Sequence, residues 1–172
     1  MKKKNSSVRV SCAVALLIVL PALWLASPAP TVHAAGEPIV VIVNNANPVD
    51  NLSMGELKKL FLSDRSRWDT GKAVAPVMLA PGAPERTSFL KLVCGMSDAD
   101  LSKYFLQAAF TGKSATPPKE VSSAGAVKGF VAGSAGGIGL IKASDLPSGD
   151  TSVKAVKIDG AAAGDAGYKL KM

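Results

Sequence analysis

The chain is almost without the residues that most enzymes use for proton transfer and metal binding at neutral pH. Among 172 residues there is one histidine, His33, and there are two cysteines, Cys12 and Cys94. His33 and Cys12 both fall in an N-terminal segment that reads as a leader, so the mature chain keeps no imidazole. Ser-His and Cys-His nucleophile pairs and the common zinc sets are thereby excluded. Cys94 has no intramolecular partner. It ends the apolar run Leu90-Lys91-Leu92-Val93-Cys94, which favours a buried thiol over an intermolecular link. Aromatic residues make up 5% of the chain. That is few for stacking bases, and nucleic acid is not an expected partner. Neither a paired-carboxylate nor a nucleophile-base motif is visible, and the expectation is that the protein is not an enzyme. No internal repeat is visible either.

What is present begins with an address. Lys2, Lys3, Lys4 and Arg9 precede an apolar run from Val10 to Leu25. The run is short for a membrane span and contains Pro21. Val32-His33-Ala34 then places small residues at −3 and −1 of a cleavage site. Residues 1–34 therefore read as a signal peptide, and the product is expected in the periplasm or secreted. Cys12 lies at the start of the apolar run, where a lipoprotein would carry its cysteine after it. No membrane span is expected after processing. Removing 34 of 172 residues leaves 138, enough for one domain with a core. The charge falls from +7 to +3, because four of the 20 basic residues leave and no acidic ones do. Lys58, Lys59, Arg65, Arg67 and Lys72 remain close together, as on a solvated helix face and loop.

Residues 35–160 read as alternating strands and helices. Glu37 to Val43 reads as a strand, because I-V-V-I-V (39–43) is continuous, β-branched and apolar, as in a strand buried on both faces. Ser53 and Glu56 form a capping box for a helix carrying Leu57, Leu60 and Phe61 and ending near Leu62-Ser63. Arg65 to Lys72 is a polar turn in which Trp68 serves as a cover on the core. Val74 to Leu79 is a strand, and Pro84 suits the first turn of the next helix. Ser97 to Asp100 caps a further helix that ends around Phe110 to Gly112. Val121, Ala124, Val127, Phe130 and Val131 define another, stopped at Gly133. Gly137 to Ile141 is a Gly-rich strand passing closely against a neighbour. It lacks the spacing and the Lys of a phosphate loop. Val153 to Ile158 alternates as an edge strand does. Residues 161–172, rich in Ala and Gly, are expected to be a flexible tail.

The stretch L-K-K-L-F-L-S-D-R-S-R-W-D-T-G-K (57–72), followed by A-V-A-P-V-M-L (73–79), G-A-P-E-R-T-S-F (82–89) and A-G-G-I-G-L-I (135–141), resembles the second lobe of the phosphate-binding proteins of bacterial ABC transporters. These are type II periplasmic binding proteins. Their pattern is a helix ending I-F/Y-L-G-K, a W-x-D-G turn, a strand, a G-S-G-T-S-F helix start and a later P-G-A-I-G-Y. The resemblance covers about Ile39 to Leu146. It implies a short, single-lobe α/β domain with a mixed central sheet flanked by helices. It also implies a solute-binding-like function without a cofactor, with phosphate or another oxyanion as ligand and an ABC transporter or other envelope protein as partner.

In that family phosphate sits at the start of the helix after the second strand, where free backbone N–H groups and the helix dipole favour an anion. Aligned on Thr87-Ser88-Phe89, this chain keeps Thr87 and Ser88. Glu85 stands where the family has Ser, Arg86 where it has Gly, and Ala80 or Pro81 near the family's Arg. The expected oxyanion-binding residues are Arg86, Thr87 and Ser88, with no metal ligands. Glu85 works against an anion by occupying the same donors and by repulsion. The other reading of the same residues is a Glu-Arg pair that needs no ligand, in a lobe that acts as a periplasmic protein-interaction module.

Overall fold

Six consecutive buried residues form β1 (Ile39–Asn44), and they set the layering of the domain. Successive side chains of a strand point to opposite faces. Ile39, Val41 and Val43 join one apolar cluster, and Val40 and Ile42 join another. A strand with both faces buried belongs at the centre of a covered sheet, and β1 has a hydrogen-bonded neighbour on each side. The computed structural model describes residues 36–172. The leader expected at residues 1–34 lies outside the described residues.

The remaining strands are β2 (Asn51–Leu52), β3 (Ala75–Leu79), β4 (Lys119–Val121), β5 (Gly137–Lys142) and β6 (Val153–Ile158). They form one six-stranded sheet in the order β2-β6-β1-β5-β3-β4. β1 runs antiparallel to β5 and β6, while β3 is parallel to β5 and β4. The expected mixed sheet flanked by helices is what forms. One face is covered by α1 (Met54–Phe61), α2 (Pro84–Phe89) and α3 (Asp98–Phe110), through Leu57, Phe61, Phe89, Leu101 and Phe105. The other face is covered by α4 (Ala124–Gly133), through Val127 and Val131.

Local chemistry explains the helix starts. Ser53 and Glu56 form the predicted capping box, and Ser97 and Asp100 form a second. Four details differ from the sequence reading. Val121 belongs to β4, and α4 starts after Ser123, whose Oγ accepts from Ala126 N. α2 continues into a π-helical turn, Leu90–Cys94, which ends at Gly95 with φ 69°. β6 lies inside the sheet beside the two-residue β2, so its alternation comes from a half-covered position next to a short edge. Residues 161–172 do not form the flexible tail expected of their composition. Tyr168 and Leu170 are buried, Tyr168 Oη donates to Ile39 O at 2.6 Å, and Ile39 N donates to Leu170 O at 2.9 Å. Two large apolar side chains two residues apart anchor a segment whose small residues gave no such signal.

Candidate functional site

α2 brings the candidate residues to one turn of helix and points them apart. Consecutive helical residues are separated by about 100°, so three in a row cannot share one ligand-facing side. Arg86 turns inward and is 4% exposed. Its Nε donates to Asp98 Oδ1 at 2.5 Å, and its Nη1 donates to Leu79 O at 2.8 Å and Glu120 Oε1 at 2.7 Å. Thr87 is exposed, and its Oγ1 donates back to Ala83 O at 3.1 Å. Ser88 is half-buried and makes no side-chain hydrogen bond among the described residues. Arg86 lines one cavity and Thr87 a different one.

Glu85 takes a third direction. It is 5% exposed and lines a cavity of about 410 Å³ bounded by the end of β3, the start of α2 and the start of α4. Ser122, Ser123 and Asp145 also line this cavity. Its one charged partner among the described residues is Lys142, with Nζ 3.6 Å from Glu85 Oε1. Ala83 at the N-cap of α2 supplies no side-chain hydrogen bond. Two acidic residues, Glu85 and Asp145, thus line the cavity beside the start of α2. Such a site is poorly suited to a dianion, because the helix-end potential is met by fixed negative charge.

The residues that decide this geometry are scattered along the sequence. Asp98 and Glu120 lie 12 and 34 residues from Arg86 and reach it only through the fold. Asp145 and Lys142 carry no local motif. Ser123 was the one with a signal, as an N-cap Ser before an Ala-Gly-Ala-Val helix start. Among the described residues, no group of three or more His, Cys, Asp or Glu is placed to hold a metal. No described helix is long and apolar enough to cross a membrane.

No family model matches the chain. Solved structures do. One, described as a phosphate ABC transporter substrate-binding protein from Clostridium perfringens and solved with bound phosphate, is 25% identical. It superposes with a TM-score of 0.60 over 75% of this chain and 48% of its own. An ABC-type phosphate transport receptor from Vibrio cholerae is 22% identical, again with a TM-score of 0.60, over 75% of this chain and 49% of its own. The chain thus spans about half the length of the proteins it matches. Its described residues form an α/β lobe of the periplasmic-binding-protein fold, and that lobe is similar to part of the phosphate ABC transporter substrate-binding proteins.

Proposed function

We propose that the chain is an exported, non-enzymatic, solute-binding-like module that works through a protein partner in the cell envelope, an ABC transporter or a neighbouring component, and is not a phosphate receptor by itself. The observation that carries this reading is the state of Arg86. Its guanidinium is buried against two carboxylates and a backbone carbonyl, so its charge is balanced before any ligand arrives. The carboxylate-lined cavity at the start of α2 supports the same conclusion. Leu106 and Phe110, 59% and 82% exposed, lie one turn apart on α3 and give the lobe an apolar strip of the kind partners cover. The test is calorimetric titration of the protein with phosphate and with sulfate. No heat of binding at millimolar ligand is expected, and micromolar phosphate binding would overturn the reading. Export is tested by the intact mass of protein from the envelope fraction, expected to begin near Ala35.

A second reading is favoured by the uncapped start of α2 and by the likeness to a protein solved with phosphate bound. In it, the lobe holds an oxyanion weakly on the backbone N–H groups of the first turn of α2, since the side chains of Arg86, Thr87 and Ser88 point apart. Glu85→Ser then strengthens phosphate binding by about 1–3 kcal/mol, the range for hydrogen bonds to charged groups. No phosphate heat from the Glu85→Ser variant eliminates this reading.

A further inference from the structure

The guanidinium of Arg86 has five N–H donors. Nε uses one, on Asp98, and Nη1 uses two, on Leu79 O and Glu120. Nη2 donates to nothing among the described residues, and it is not enclosed, since the buried unpaired side-chain atom among them is Asn47 Nδ2. Arg86 also lines a cavity of about 250 Å³, away from the one that Glu85 lines. Met78, Leu101, Phe105, Pro117 and Pro118 form its apolar lining, and Arg86 and Glu120 its polar part. Apolar walls with a few convergent polar groups are the usual make-up of a small-molecule site.

We infer that this cavity binds a small uncharged molecule with an apolar body and a carboxamide, its carbonyl accepting from Arg86 Nη2 and its N–H donating to Glu120. The charge balance sets the ligand class. One guanidinium beside Asp98 and Glu120 sums to a net negative charge, which disfavours an anion. The open Nη2 donors ask for an acceptor, which disfavours a cation. A neutral carbonyl satisfies both conditions. Size agrees, since a cavity of about 150 Å³ is enough for benzene, and this one has room for a ring and an amide. The inference shares Arg86 with the proposed function but not the start of α2, and the Ser102→Phe variant tests it without altering that arginine.

Three probes of one shape and different charge test it: benzamide, benzoate and benzamidine, titrated into the isotope-labelled protein and followed by amide chemical shifts. Benzamide shifts the amides of Leu101, Ser102, Phe105 and Glu120 saturably. Benzoate and benzamidine bind weaker by about tenfold, the factor that corresponds to about 1.4 kcal/mol. Ser102 lines the cavity from the exposed side of α3, where its one side-chain hydrogen bond is to Asp98 O of its own helix. Ser102→Phe therefore fills the cavity without disturbing the fold, and benzamide binding is lost. Arg86→Lys keeps the charge but not the planar fork, and also loses benzamide. Should that variant fail to fold, Ser102→Phe decides. The proposal is overturned if benzamide gives no saturable shift, if benzoate binds as tightly as benzamide, or if Ser102→Phe leaves benzamide binding unchanged.

Discussion

Trp68 is 2% exposed, and its Nε1 donates to Gly136 O at 3.0 Å, joining the 65–72 turn to the start of β5. Trp68→Ala removes a buried ring and one of the two hydrogen bonds that Gly136 O accepts, the other coming from Ala75 N. It is expected to lower stability by about 3–5 kcal/mol, read as a shift in the denaturant midpoint. An unchanged midpoint would refute the structural role. Cys94 and Tyr168 make a prediction about pH. Burial pushes the Cys94 thiol from 9.0 up to about 11 and the Tyr168 hydroxyl from 10.0 up to about 12. Each stays neutral in the folded chain at a pH where the unfolded chain ionises it. The unfolded chain therefore loses protons first, and stability falls as pH rises from about 9 through 11 for Cys94 and from about 10 through 12 for Tyr168. Denaturant midpoints measured from pH 8 to pH 11 should decline, and Cys94→Ala should flatten the first part of the decline. The roles of Trp68 and Cys94 were legible because an apolar neighbourhood in sequence already dictates burial. The role of Arg86 was not. A guanidinium beside Thr-Ser at a helix start reads as anion-binding until the distant carboxylates are in place.

At the level of elements, β5 and α4 approach each other as closely as their residues permit. A Cβ added to Gly139 would lie 2.5 Å from Val127 Cγ1 and 2.9 Å from Val77 Cγ1. Gly139→Ala should destabilise by about 1–3 kcal/mol, the usual effect of overpacking. Val127→Ala placed in the same chain should recover part of the loss, because it removes the nearest colliding methyl group. Thermal melts of the two single variants and the double variant check this, and strict additivity would contradict it. This close approach was legible from Gly-Gly-Ile-Gly inside an apolar run. The helix starts were legible too, because a capping box is a local pattern of two side chains and two backbone N–H groups. β4 was not: three residues, Lys119–Val121, with little apolar content become a strand only because β3 offers them a parallel partner. The π-helical turn at Leu90–Cys94 was equally hidden, since it differs from an α-helical turn in hydrogen bonding and not in apolar spacing. The docking of residues 161–172 was hidden because its anchors, Tyr168 and Leu170, find their partner in β1, far earlier in the chain.

The whole molecule has a graded stability that follows from its strand order. β1 is hydrogen-bonded on both sides and buried on both faces, whereas β4 is an edge held to β3 over three residues. Such an edge opens alone unless something fastens it. Arg86 is placed to do so, since its Nη1 bridges Leu79 O at the end of β3 and Glu120 in β4, and its Nε reaches Asp98 at the start of α3. Replacing one member of a buried ion pair is often severe because the other charge is left enclosed. Here the side chains of Asp98 and Glu120 are 30% and 51% exposed, so both carboxylates regain water when the arginine is gone. Arg86→Met fills similar space without the charge. It should therefore loosen the β4 edge and the first turn of α3 and leave the central strands intact. Hydrogen exchange followed by mass spectrometry checks this. Peptides covering 117–123 and the start of α3 should exchange faster in the variant, with the rate over β1 unchanged. If β1 accelerates equally, opening is global, and Arg86 supports the entire fold instead of fastening one edge of it.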